Sequence, residues 1–122
     1  MLQIGQILND TYRVDALLGE GGAGAVYVVF HLRMEARFAL KVLSREGASP
    51  DLLTRFREEA RLLASLDHPN IVRVIDWNST ADGRPYLVME LLPGEDLAHF
   101  LARTSALPPS VAIPIVLQIA DA

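Results

Sequence analysis

The chain has 122 residues, of which 51% are hydrophobic and 21% charged, with a net charge of −4 and no cysteine. That suffices for one small domain with a single core and excludes a disordered polypeptide, a disulfide framework and a thiolate metal site. The eleven Lys and Arg are scattered rather than bunched, which argues against nucleic acid or an anionic membrane surface as a partner. The N-terminal "MLQIGQILND" lacks the basic and apolar regions of a signal peptide. The most apolar stretch, Val111 to Ala120, is too short to span a bilayer, and the lack of cysteine makes the cytoplasm the expected location.

In chain order, Thr11–Leu18, Ala25–Leu32 and Arg37–Leu43 are short runs rich in Val, Leu, Tyr and Phe, separated by glycines and then by "RMEA". They predict three strands in an antiparallel meander. Ser49-Pro50-Asp51 is a helix start, with Ser as candidate N-cap and Pro at the first helical position. Leu52, Phe56, Ala60, Leu63 and Leu66 then recur at three- and four-residue steps, and "DHPN" ends the helix. Two further strands are expected at Ile71–Trp77 and Pro85–Leu92, joined by the turn-rich "NSTADGR". A short helix from Asp96 to Arg103 and an apolar one from Pro109 close the sequence. The fold class is α+β, in the order β-β-β-α-β-β then α-α, with a five-stranded antiparallel sheet. Pro114 falls inside the last helix, where it removes a backbone bond and threatens a kink.

Four glycines crowd the stretch "LGEGGAGAVY", at Gly19, Gly21, Gly22 and Gly24. Each costs entropy in an element interior, so the cluster wants a reason. A G-x-G-x-x-G pattern alone is ambiguous, because a dinucleotide-binding fold also uses one between a strand and a helix. Here the β-branched and aromatic Val26, Tyr27, Val28, Val29 and Phe30 follow, so the glycines lie at a strand–strand turn. Such a turn is either an ordinary flexible hairpin or a cover whose backbone approaches phosphate oxygens closely. In "RFALKVL", Ala39 and Lys41 leave the same face of one strand. A lysine there either snorkels at a sheet edge or meets an anion. Glu59 lies on the flank of the helix's apolar stripe, where a desolvated carboxylate needs a partner, and Lys41 is the natural one. The bland alternative is a partly exposed glutamate on a helix shoulder.

Taken together, these stretches resemble the N-terminal lobe of a eukaryotic-like Ser/Thr protein kinase of the bacterial type. "GEGGAGAVY" matches the family's G-x-G-x-x-G-x-V through Gly19, Gly21, Gly24 and Val26, and "FALK" matches its V-A-I-K strand at Lys41. "RFREEARLLASLDHPNIV" and "PYLVMELLPGEDL" are similar to its main helix with the following loop, and to its fifth strand and hinge. The resemblance implies residues 1–94 as the ATP-binding lobe with its hinge, and 95–122 as the first helices of a C-terminal lobe. It implies that backbone groups near Gly21, Gly22 and Gly24 cover the phosphates, and that Lys41, held by Glu59, binds the α- and β-phosphates. Leu18, Val26 and Ala39 would sandwich the adenine with Met89 behind it. Backbone groups of Glu90 and Leu92 would bond the adenine edge and Asp96 the ribose, although Asp96 equally suits a helix cap. Leu63 and Val74 would join a hydrophobic stack that reports the position of the helix.

Neither H-R-D-x-x-x-x-N nor D-F-G occurs in the sequence, so the catalytic Asp and the Mg2+ ligands of the family are not among these residues. The expectation is an ATP-binding lobe, inactive alone, of an enzyme that transfers the ATP γ-phosphate to Ser or Thr of a protein substrate. Mg2+ belongs to the full-length enzyme and the rest of the C-terminal lobe is an expected partner. The apolar helix 109–122 would otherwise lie uncovered or pair with a second copy. A different class, a stand-alone non-catalytic interaction module with the same fold, is the alternative. A dinucleotide-binding oxidoreductase would require a helix directly after Gly24.

Overall fold

The computed structural model describes residues 1–21, 24–44, 49–104 and 106–122, apart from the side chain of Leu52. The elements are β1 (Ile7–Leu8), β2 (Tyr12–Gly21), β3 (Gly24–His31), β4 (Ala36–Leu43), α1 (Pro50–Ser65), β5 (Val74–Ser79), β6 (Pro85–Glu90), α2 (Leu97–Thr104) and α3 (Pro109–Asp121). All neighbouring strands pair antiparallel, in the order β1-β2-β3-β4-β6-β5.

The sheet therefore has six strands where the sequence reading expects five. The addition is β1, a two-residue pairing of Ile7 with Arg13 and Leu8 with Tyr12. Two residues carry no alternation to detect, and much of the segment's hold comes from single bonds, the Gly5 N–H to the Val14 carbonyl and the Val14 N–H to the Gln6 carbonyl. A strand, not a helix, follows Gly24, which removes the dinucleotide-fold reading.

The strands alternate cleanly. Ala25, Tyr27 and Val29 of β3, Leu40 and Val42 of β4, and Tyr86 and Val88 of β6 are buried and form the core with Tyr12, Val14, Leu8 and Leu2. Leu2 and Leu8 are thus a lid over this face, and the Leu2 N–H donates to the Tyr27 hydroxyl at 3.0 Å. Burying Tyr27 and Tyr86 here supplies the large apolar area that a short chain needs.

Helix α1 begins at Pro50 as its start signal predicts, with the Leu53 N–H bonding the Ser49 carbonyl. It packs mainly on β5 and more lightly on β6, through buried Phe56 and Ala60. The Arg57 guanidinium lies over the Trp77 ring, 5.7 Å from its centroid. Helix α3 runs through Pro114 to Asp121 without interruption. Its C-terminal half is tied to the loop after α1 by Asn70 Nδ2 to the Gln118 carbonyl at 2.9 Å and by His68 Nε2 near Asp121 Oδ2 at 3.5 Å.

Candidate functional site

The face opposite the core carries the candidate site, and strand register builds it. Directly paired residues of antiparallel strands project to the same side. Gly19 pairs with Val26, Val26 with Lys41, Lys41 with Leu87 and Leu87 with Trp77. This single row crosses the sheet from the glycine-rich end of β2 to the strand under α1. The next row runs Ala16, Val28, Ala39, Met89 and Val74. Val26, Ala39, Lys41 and Met89, singled out in the sequence, therefore share one face in two adjacent rows. Val28 joins them; it is two residues from Val26, and the period-2 pattern already placed it there.

Among these, Ala39 is 6% exposed, whereas Lys41 is exposed. The result is an apolar floor with one cation rising from it. Among the described residues, no ion pair or side-chain hydrogen bond engages Lys41.

The glycines separate into two kinds. Gly24 has φ +148°, and a Cβ built on it would lie 2.1 Å from the Val42 carbonyl oxygen. It is glycine because β3 and β4 touch there. At Gly19 and Gly21 a Cβ would meet nothing within 4 Å, and neither has a left-handed backbone. Among the described residues no neighbour requires glycine at these two positions. Gly22 lies outside the described residues. Leu18 is the extra residue at a register shift between Leu17 and Gly19 and is 55% exposed.

Glu59 departs from expectation. It is exposed on α1, and among the described residues no ion pair joins it to Lys41. The buried stripe of α1 is narrower than its sequence suggests. Phe56 and Ala60 are buried, but Leu63 and Leu66 are substantially exposed, so the shoulder carrying Glu59 faces water. Both charges keep their hydration instead of exchanging it for each other. Val74, by contrast, is buried.

At the exit of β6, the Glu90 N–H donates to the Arg73 carbonyl at 3.0 Å and Glu90 Oε1 accepts from the Arg73 N–H at 3.2 Å. Leu92 lies beyond the strand, outside its ladder. A recess of about 300 Å³ behind this exit is lined by Leu92, Glu90, Ile71, Ile115 and Ile119. A larger one of about 570 Å³ opens on the core face beside Gly21, Gly24, Tyr27 and Arg84, across the sheet from Lys41.

Asp96 caps α2. Its Oδ1 accepts from the His99 N–H at 2.7 Å and lies 2.6 Å from His99 Nδ1. Those two hydrogen bonds hold the carboxyl below its usual pKa. A depressed carboxylate contributes stability above its unfolded pKa and loses it as pH falls through the folded value. Asp96→Ala is therefore expected to speed amide exchange in the first turn of α2 several-fold at neutral pH. At a pH low enough to protonate Asp96, the two proteins should exchange alike in that turn.

The model of the family described as "Protein kinase domain" matches residues 12–122. The Ser/Thr protein kinase PknA of Mycobacterium tuberculosis is 42% identical over 110 residues, covering 86% of this chain and 26% of that protein. The Ser/Thr protein kinase pkn3 of Myxococcus xanthus is 35% identical over 120 residues, covering 98% of this chain and 22% of its own length. A crystal structure of the M. tuberculosis PknI kinase domain superposes with a TM-score of 0.87 at 34% identity, covering 99% of this chain and 49% of that domain. The chain thus spans about half of the solved kinase domain and about a quarter of the curated relatives.

Proposed function

This chain belongs to the protein kinase family, and from that premise we propose that residues 1–94 are an ATP-binding lobe with its hinge and residues 95–122 the first helices of the C-terminal lobe. The observation that carries this is the row Gly19, Val26, Lys41 and Leu87, which puts in one line a glycine that no described neighbour requires and a cation with no partner among the described residues. Phosphate oxygens can approach a backbone without Cβ atoms, and an ammonium within reach of them supplies a charge-assisted contact. In the proposed complex Lys41 takes the α- and β-phosphates, while backbone groups of Gly19, Gly21, Gly22 and Gly24 cover the chain of phosphates. Leu18, Val26 and Ala39 sandwich the adenine against the floor, with Met89 behind it. The Glu90 N–H is already bonded to Arg73, which leaves its carbonyl, together with the Leu92 backbone, for the adenine edge. Asp96, already oriented by His99, is assigned to the ribose. Glu59 is assigned to Lys41 in the nucleotide-bound form.

Protein kinases as a family use ATP with Mg2+ and act on protein substrates. Among the described residues no three His, Asp or Glu side chains gather into a metal-holding group. Transfer of the γ-phosphate to Ser or Thr of a protein, as in the Ser/Thr kinases it resembles, is proposed for the full-length enzyme, and these residues alone are expected to be inactive. No described helix is long and apolar enough to cross a membrane. The exposed Ile113, Val116, Leu117 and Ile119 of α3 favour a second reading, an interaction module that docks or self-associates through this helix.

Nucleotide binding separates the two. Gly21→Val places a branched side chain in open space on a strand that suits it. The variant is expected to unfold in urea at the wild-type midpoint or slightly above it. Its affinity for ATP, read by calorimetric titration, should fall at least about tenfold. A wild-type chain that binds no ATP would leave the interaction module as the better reading.

A further inference from the structure

Strands β2 and β5 stand four steps apart in the sheet, which in a flat sheet would separate them by about 19 Å. Yet the Tyr12 hydroxyl of β2 donates to Asp76 Oδ2 of β5 at 2.6 Å. Just upstream, Asn9 Nδ2 donates to the Ser79 carbonyl at 3.3 Å and also to the Tyr86 hydroxyl. The Tyr12 and Tyr86 rings meet edge-on at 6.4 Å beneath these bonds. Asp76 is itself oriented, because its Oδ1 accepts the Trp77 N–H at 2.9 Å, and it sits at a register shift of β5 that turns it onto the core face beside Val88. The sheet is curled until its two margins are stitched by side chains. Burial and the adjoining Asp76 carboxylate push the Tyr12 phenol well above its ordinary pKa.

We propose that this seam, Tyr12 to Asp76 and Asn9 to Ser79 and Tyr86, is a positioning device that sets where Gly19 and Gly21 stand relative to Lys41. The inference rests on the nucleotide reading above. Beyond Val14, β2 is bonded only to β3, and every residue from Ala16 to Gly21 is exposed. Two register shifts, between Val14 and Ala16 and between Leu17 and Gly19, bend it further. From Ala16 to the glycines the strand is therefore held along one edge only, by its ladder to β3, and its course is set at its base by Tyr12. It is up to about 30 Å long, so a change of roughly 10° at its base displaces its end by about 5 Å. Misplacement by far less than that costs a binding site much of its affinity. Tyr12, Asp76 and Asn9 lie on the core face and across the sheet from Lys41, so they act through β2 and not by touching the nucleotide.

The test compares wild type with Tyr12→Phe, Asp76→Asn and the double variant, each at a temperature where urea titration shows it to be folded. Tyr12→Phe removes one oxygen and keeps the ring packing, and Asp76→Asn keeps shape and one acceptor should the first variant fold poorly. Amide exchange at Gly19, Gly21 and Val26 is expected to quicken several-fold in both, and ATP affinity to weaken about three- to tenfold. The double variant should be no worse than Tyr12→Phe, because the bond that Asp76→Asn weakens is already absent there. Unchanged exchange at those amides in the folded variants would overturn the proposal and leave the seam as stabilising packing alone. Exchange needs no nucleotide, so a chain that binds no ATP would defeat the nucleotide reading without deciding this one.

Discussion

Gly24→Ala is expected to unfold the chain or to lower its stability by about 3 kcal/mol or more, the largest effect of a Gly→Ala change among the described glycines. The added carbon would sit 2.1 Å from the carbonyl oxygen of Val42 and 3.0 Å from Leu43 Cα, both backbone atoms of the neighbouring strand. Neither can swing aside as a side-chain tip would. Relief requires prising β3 from β4 where Gly24 pairs with Leu43, and that same ladder carries Val26 against Lys41 two residues on. The φ of +148° adds a cost of about 1–3 kcal/mol for any residue with a Cβ. Small domains have only about 5–15 kcal/mol in total, so the loss takes much of it. Urea unfolding followed by circular dichroism measures it. A Gly24→Ala midpoint within error of Gly21→Val would contradict the division of the glycines into structural and ligand-facing positions.

That division shows where sequence reading reaches its limit. Four glycines in six positions announce a special turn, and Val26 to Phe30 announce that a strand follows it. Nothing in the sequence tells that Gly24 answers to a neighbouring strand while Gly19 and Gly21 answer to none of the described residues. The difference is a contact between residues 24 and 42, and local pattern carries no such information. The same holds for the faces of the sheet. Ala39 and Lys41 are visibly on one side, but both sides of β3 are apolar, and which one becomes the core is settled by Leu2 and Leu8 arriving from the N-terminus. The boundary of β5 slips for a related reason. Ile71 and Val72 look like strand, yet the ladder begins at Val74, because residues 67–71 are held by the His68 and Asn70 side chains and turn toward α3.

Glu59 is the instructive case in the site. Its spacing from Phe56 and Leu63 puts it on the flank of an apolar stripe, and a flank is buried only if something covers it. Helix α1 leans on β5 and β6 at the far side of the sheet from the glycines, so only the turn bearing Phe56 and Ala60 is covered. Burial of a carboxylate is a tertiary property, and helical periodicity can nominate the position without supplying the cover. The family resemblance names the same residue for a different reason, an ion pair to Lys41. Both grounds stay compatible with the structure if the pair forms only in the nucleotide-bound form.

Lys41→Met carries the largest expected effect on binding and the smallest on folding. Lys41 is exposed and engages no partner among the described residues, so its loss should leave the urea midpoint within about 0.5 kcal/mol of wild type. Methionine keeps the apolar stem beside Ala39 and Val26 and removes only the charge. A hydrogen bond to a charged group contributes about 1.5–3 kcal/mol, hence about a 10- to 100-fold loss of ATP affinity. The chain's net charge of −4 sharpens the case, since an acidic protein offers a polyphosphate no general attraction and the affinity must come from a local cation. Adenosine provides the internal control. It should bind wild type and Lys41→Met alike, because the adenine floor of Val26, Ala39 and Met89 is intact in both. The wild-type preference for ATP over adenosine should shrink with added salt, and fall by that same factor in the variant. Equal loss of ATP and adenosine would mean that Lys41 shapes the floor instead of binding phosphate. Equal retention of both would remove the lysine from the site altogether, and with it the reason for reading Gly19 and Gly21 as a phosphate cover.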